Sequence, residues 1–195
     1  LAPKLLYRDT SGIPPVSKDK RQSIKVIQLM SSSSACVQQV LLKPLTADEF
    51  APFGNVVQLG DGPRRQHVTG AVERTEHAIE PQLWIATVQQ AVILPLTLKA
   101  LERHPFSAQT FIPLNGCPYL VVVCLTDDSG MPDVQTLQAF RASGDQGVTY
   151  KRNVWHHGLS VLEARAQFVV SMAFTGEQND DVFTPLETTI ELLEA

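Results

Sequence analysis

Charge is sparse in this 195-residue chain, and neither sign dominates: 16 Lys and Arg against 20 Asp and Glu leave a formal net charge of −4. The cations are scattered, so neither nucleic acid nor an anionic membrane is an expected partner. The expected partner is a small molecule, and an acidic one would need locally placed cations. Long hydrophobic runs are also missing. No stretch approaches the ~20 apolar residues that span a bilayer, and no leader pattern opens the residues, so the expected location is cytoplasmic. Cysteine is scarce as well: Cys36, Cys117 and Cys124 are an odd number without metal-type spacing. That argues against a disulfide framework and for reduced, buried thiols. What is plentiful is apolar, at 44% of residues, which suits one well-buried globular domain.

Residues 1–36 differ from the remainder. Lys and Arg alternate there with Pro, Gly and Ser, and Ser31 to Ser34 close the segment. They read as an N-terminal extension or linker, leaving 37–195 as the folded domain. Within that domain Val37 to Leu42 looks like a strand. Thr46 and Glu49 have capping-box spacing for a short helix that Gly54 would end. Asn55 to Leu59 follows as another strand. Further candidate strands are Leu83–Val88, Leu96–Leu101, Thr110–Pro113, Tyr119–Leu125, Val148–Val154, Gln167–Phe174 and Thr188–Leu193, separated by Pro, Gly, Asn and Asp. Many short strands at close spacing predict an all-β barrel or sandwich with minor helices. Asp133–Phe140 is the exception, because Val134, Leu137 and Phe140 recur at helical spacing.

Histidine is scarce, with five in the chain. His67 and His77 lie in a polar stretch and read as surface residues. The other three fall in two tight constellations. In Leu101-Glu102-Arg103-His104-Pro105, alternation along a strand places Glu102 and His104 on one face and Arg103 on the other. In Gly147-Val148-Thr149-Tyr150-Lys151-Arg152-Asn153-Val154-Trp155-His156-His157, Lys151, Asn153 and Trp155 would share one face, and Tyr150, Arg152 and Val154 the other. A carboxylate-bearing substrate would be gripped well by Lys151 or Arg152, the latter bidentately. Trp155 suits either a core or a substrate-stacking role.

Spacing adds a further feature. Cupin barrels carry two histidines one residue apart, then Glu, then Gly. Glu102 stands at the first histidine position, His104 at the second, Gln109 at the Glu position and Gly116 at the glycine. The register resembles a cupin motif with altered ligands. Glu102, His104 and a second-motif histidine such as His156 could still hold a divalent metal ion, for which Gln109 is a poorer ligand than Glu.

The stretches LERHPFSAQTFIPL (101–114), YLVVV (119–123), LQAF (137–140) and GVTYKRNVWHHG (147–158) resemble the ureidoglycolate lyase family, in order and over most of the chain beyond the extension. The Glu-Arg-His-Pro and Asn-Val-Trp-His-His blocks are the specific part. Gly158 departs from it, standing where a Pro is common. The resemblance implies a cupin-like β-barrel, a homodimer, and conversion of (S)-ureidoglycolate to glyoxylate and urea in allantoin breakdown. That reaction is a carbon–nitrogen elimination needing a base and an acid, work suited to histidine. On this expectation His104 and one of His156 and His157 move protons while Glu102 orients an imidazole. Arg103, Gln109, Tyr150, Lys151, Arg152 and Trp155 are the candidate substrate-binding residues. Two alternatives stand beside it: another cupin enzyme, such as a metal-dependent isomerase or oxygenase, and a non-catalytic barrel that binds small acids.

Overall fold

The computed structural model describes residues 37–58, 60 and 62–195; the expected extension, 1–36, lies outside the described residues. Strands dominate, and they form two sheets. The larger, eight-stranded sheet runs in the order β1 (Val37–Leu41), β13 (Val182–Leu193), β5 (Leu96–Arg103), β10 (Trp155–His156), β7 (Gly116–Thr126), β8 (Pro132–Gly144) and β2 (Lys43–Pro44), with β11 (Ser160–Val161) also on β7. Only Leu42 separates β1 from β2, and Gln38 donates to the Val134 carbonyl at 3.1 Å. One stretch of chain therefore ties both ends of the sheet, which curls into a nearly closed barrel. The smaller sheet orders β3 (Gly54–Val57), β9 (Gly147–Tyr150), β6 (Gln109–Pro113), β12 (Ala166–Phe174) and β4 (Glu80–Val88). This is the all-β, cupin-like architecture expected.

Two apolar cores follow from period-two alternation. Leu98, Leu101, Val122, Trp155, Ile190 and Leu192 fill the inside of the curled sheet. Phe53, Phe111, Tyr119, Val121, Val148 and Phe168 fill the layer between the two sheets. β7 serves both, with Leu120 and Val122 turned to the first core and Tyr119, Val121 and Val123 to the second. Its residues therefore read as a continuous apolar run.

The same two-sided burial overturns the helix expected over Asp133–Phe140, which is part of strand β8. Leu137 faces the first core and Phe140 the second, so the apolar residues take a helix-like spacing on an extended strand. The expected helix start is real: Thr46 caps α1 (Ala47–Phe50), its hydroxyl accepting from the Glu49 amide at 3.4 Å. Gly54 does not end that helix in a left-handed turn. It begins β3 where the Thr149 carbonyl approaches too closely for any Cβ. The strand expected over Val148–Val154 also stops early, at Tyr150, and this break shapes the site.

Candidate active site

Both histidine-bearing blocks lie where the chain passes from one sheet to the other. β5 of the curled sheet ends at Arg103, and β6 of the smaller sheet begins at Gln109. β9 of the smaller sheet ends at Tyr150, and β10 of the curled sheet begins at Trp155. Asn153 turns the second corner with φ of 70°, a left-handed conformation that asparagine tolerates better than most residues. Its amide donates to the His104 carbonyl at 2.9 Å, which ties the two corners together. Tyr150 from one sheet and His156 from the other thus face each other, their rings stacked 4.2 Å apart at 13°.

Glu102 and His156 are cross-strand partners in the β5–β10 ladder. His104 and His156 lie with ring centroids 5.1 Å apart, and both are buried, at 4% and 1% exposure. Each ring is anchored through Nδ1. His156 donates from Nδ1 to the Val154 carbonyl at 3.0 Å. His104 Nδ1 lies 2.9 Å from the Asp181 carboxylate and 3.3 Å from the Asp180 carbonyl, both acceptors, so this nitrogen carries the proton. Both Nε2 atoms are buried without a hydrogen-bond partner. An orphaned buried acceptor is costly and calls for a functional reason.

Burial, reinforced by the neighbouring His104 ring, pushes His156 down to about 3. It is therefore neutral near pH 7, and its 3.6 Å approach to the Glu102 carboxylate is a polar contact rather than an ion pair. Burial raises Glu102 above the usual carboxylate range; His104 opposes that rise and Asp181 adds to it. Across the β6–β9 ladder from Tyr150, Gln109 keeps Oε1 buried and unpartnered, while its Nε2 lies 3.7 Å from the Met172 sulfur.

The donor set fits a divalent metal. One ligand atom each from Glu102, His104 and His156 lie within 4.8 Å of one another. Each imidazole has its other nitrogen fixed by an acceptor, the arrangement that orients metal ligands.

The family profile described as Ureidoglycolate lyase matches residues 37–191, which includes every group just described. The ureidoglycolate lyase of Brucella anthropi is 37% identical over 164 residues, covering 80% of this chain and 95% of the relative. That of Stutzerimonas stutzeri is 39% identical over 158 residues, covering 75% of this chain and 91% of the relative. The chain belongs to the ureidoglycolate lyase family.

This member of the family brings Glu102, His104, His156, Gln109 and Tyr150 together and directs the other expected residues elsewhere. His157 turns off the site: its Nε2 meets the Ser160 hydroxyl at 3.1 Å and its ring also bonds the Ala100 backbone. Trp155 is buried in the core of the curled sheet, with the Arg103 guanidinium 4.6 Å above its ring. Lys151 donates to the Ala51 and Pro52 carbonyls at 2.6 and 3.2 Å. Arg152 donates to the Pro105 carbonyl at 3.1 Å and lies 3.7 Å from Glu73. Because β9 ends at Tyr150, the alternation expected through Lys151 and Arg152 is not that of a strand.

Sequence reasoning missed Asp180 and Asp181. Asn179-Asp180-Asp181 has the composition of a connecting turn, and nothing local announces that it reaches His104 from 76 residues away. It also missed Gln138, whose Oε1 is buried without a partner two strands from His156 in the same cross-strand line.

Proposed function

We propose that this chain is a ureidoglycolate lyase that cleaves (S)-ureidoglycolate to glyoxylate and urea. The observation that carries the reading is the neighbouring pair of buried imidazoles, each anchored at Nδ1 and unpartnered at Nε2. Elimination requires the substrate hydroxyl to lose a proton as its carbonyl forms. The departing urea nitrogen gains one as the carbon–nitrogen bond breaks. His156, held neutral by burial, is the proposed base, accepting the hydroxyl proton at Nε2. His104 is the proposed acid: a proton taken up from solvent at its Nε2 before the bond breaks passes to the departing nitrogen, and the proton held by His156 then returns to solvent. Glu102, 3.6 Å from the His156 Nε2, would steady that ring once its nitrogen has taken the proton. Gln109 and Tyr150 remain as substrate-contacting groups; Lys151 and Arg152 are bonded elsewhere, Arg103 and Trp155 stack on each other inside the curled sheet, and none of the four receives a contact in this reading.

A second reading rests on the same atoms. Glu102, His104 and His156 would hold a divalent metal ion, which supplies a Lewis acid for the hydroxyl and carboxylate oxygens of the substrate. Urea release by the purified protein, measured before and after exhaustive chelation, separates the two. Turnover unchanged by metal removal supports the acid–base reading, and turnover lost and restored by added metal supports the second. Absence of urea release under both conditions sinks the lyase assignment.

The same proposal includes a homodimer in the cytoplasm. Its support is the outer face of the smaller sheet, where Ile85, Val169 and Ile112 form one cross-strand line and Ile85 is 53% exposed. Cys117 and Cys124 are buried free thiols, in keeping with a reducing compartment. Among the described residues no helix is long and apolar enough to cross a membrane. Sedimentation of the purified protein tests the dimer.

A further inference from the structure

The β12–β13 connection is built around two consecutive carboxylates with separate tasks. Asp180 is buried and closes the connection on itself: its carboxylate accepts from the Thr175 amide at 2.8 Å and the Thr175 hydroxyl at 3.2 Å. Thr175 also donates to Asn179 at 2.6 Å. With the turn fixed, the next residue is placed against His104. The Asp181 side chain is half-exposed, yet one of its oxygens lies 2.9 Å from the His104 Nδ1. A cavity of about 340 Å³ lined by Glu80, Gln82, Phe174 and both aspartates flanks the connection.

We propose that Asp181 is the positioning residue of the active site, acting through His104. Its carboxylate, 2.9 Å away, keeps the proton on Nδ1, so that Nε2 faces the reacting atoms. The Asp180 carbonyl, at 3.3 Å, is a longer and uncharged alternative acceptor. A charge-assisted bond is roughly twice as strong as a neutral one, so the carboxylate decides the tautomer. The assignment rests on the proposed role of His104, but one of its readouts needs no substrate.

The test uses Asp181→Ala, Asp181→Asn and Asp181→Glu in the full chain, with ¹⁵N-histidine NMR and steady-state kinetics on each. In the parent protein the His104 signals should report Nδ1–H with Nε2 unprotonated. Asp181→Ala should lose that preference, and kcat should fall by about 10- to 100-fold with KM little changed. Asp181→Asn keeps the shape but removes the charge, so its kcat should fall comparably. Asp181→Glu should recover part of the loss. A residue that only packs would be rescued by Asn and not by Glu. An unchanged tautomer in Asp181→Ala together with parental kcat in Asp181→Asn overturns the assignment. Absence of urea release by the parent protein defeats the lyase reading instead, while the tautomer comparison still decides what Asp181 does to His104.

Discussion

The two faces of β5 and β10 carry neighbouring residues to opposite ends. Toward the smaller sheet point Glu102 and His156, joined by His104 just past the strand. Toward the inside of the curled sheet point Leu101, Arg103 and Trp155. The first face gathers two imidazoles and a carboxylate, with both imidazole Nε2 atoms unpartnered; the second stacks Arg103 on the Trp155 indole among aliphatic side chains, although Arg103 Nε and Trp155 Nε1 are also buried without hydrogen-bond partners. His156 and His157 are adjacent in the chain, yet one ring lies against His104 and Tyr150 and the other is bonded at Ser160 and Ala100. Residue type does not separate a proposed working group from a structural one here. The side of the sheet does.

The largest expected effect breaks that comparison on its functional side. His156→Ala should lower kcat by about 10²- to 10⁴-fold with the fold retained by circular dichroism. His157→Ala should change kcat only a few-fold. Equal losses in the two variants would erase the distinction between the faces. On the structural side, Trp155→Ala should cost roughly 3–5 kcal/mol of stability in denaturant unfolding. Turnover per folded molecule should stay near parental, and a larger loss of kcat than of stability would return Trp155 to the site.

Acid sharpens the comparison further. The His156 imidazole titrates near 6.5 when unfolded and at about 3 in the fold, so between these values the unfolded chain binds more protons. Its contribution to stability is therefore complete above pH 6.5 and declines as pH falls toward 3. Unfolding free energies at pH 7 and pH 4.5 should drop more for the parent than for His156→Gln. The opposite ordering would mean that His156 is charged in the fold. The smallest effect belongs to Lys151→Ala, which removes bonds to the Ala51 and Pro52 carbonyls at the surface. About 1 kcal/mol or less of stability and no change in KM are expected, and a large rise in KM would restore Lys151 as a substrate clamp.

Much of this site is legible in the sequence. Alternation places Glu102 and His104 opposite Arg103, and the structure agrees, because β5 runs extended to Arg103. The same rule fails after Tyr150, where a turn through Asn153 replaces the strand and sends Lys151 and Arg152 to the loops around Ala51 and Pro105. Among the folding signals, Thr46 marked its helix correctly because a cap is a local contact. Val134, Leu137 and Phe140 misled because periodicity cannot tell a helix from a strand buried on both faces.

By itself the sequence determined the family, the all-β class and the two blocks that supply the imidazoles. Those properties are written in composition, short-range pattern and the order of motifs along the chain. Tertiary structure alone decided which of two adjacent histidines faces the site, which cations are occupied elsewhere, and that Asp181 reaches His104. These depend on where the chain crosses between sheets, and a crossing is set by contacts between residues tens of positions apart.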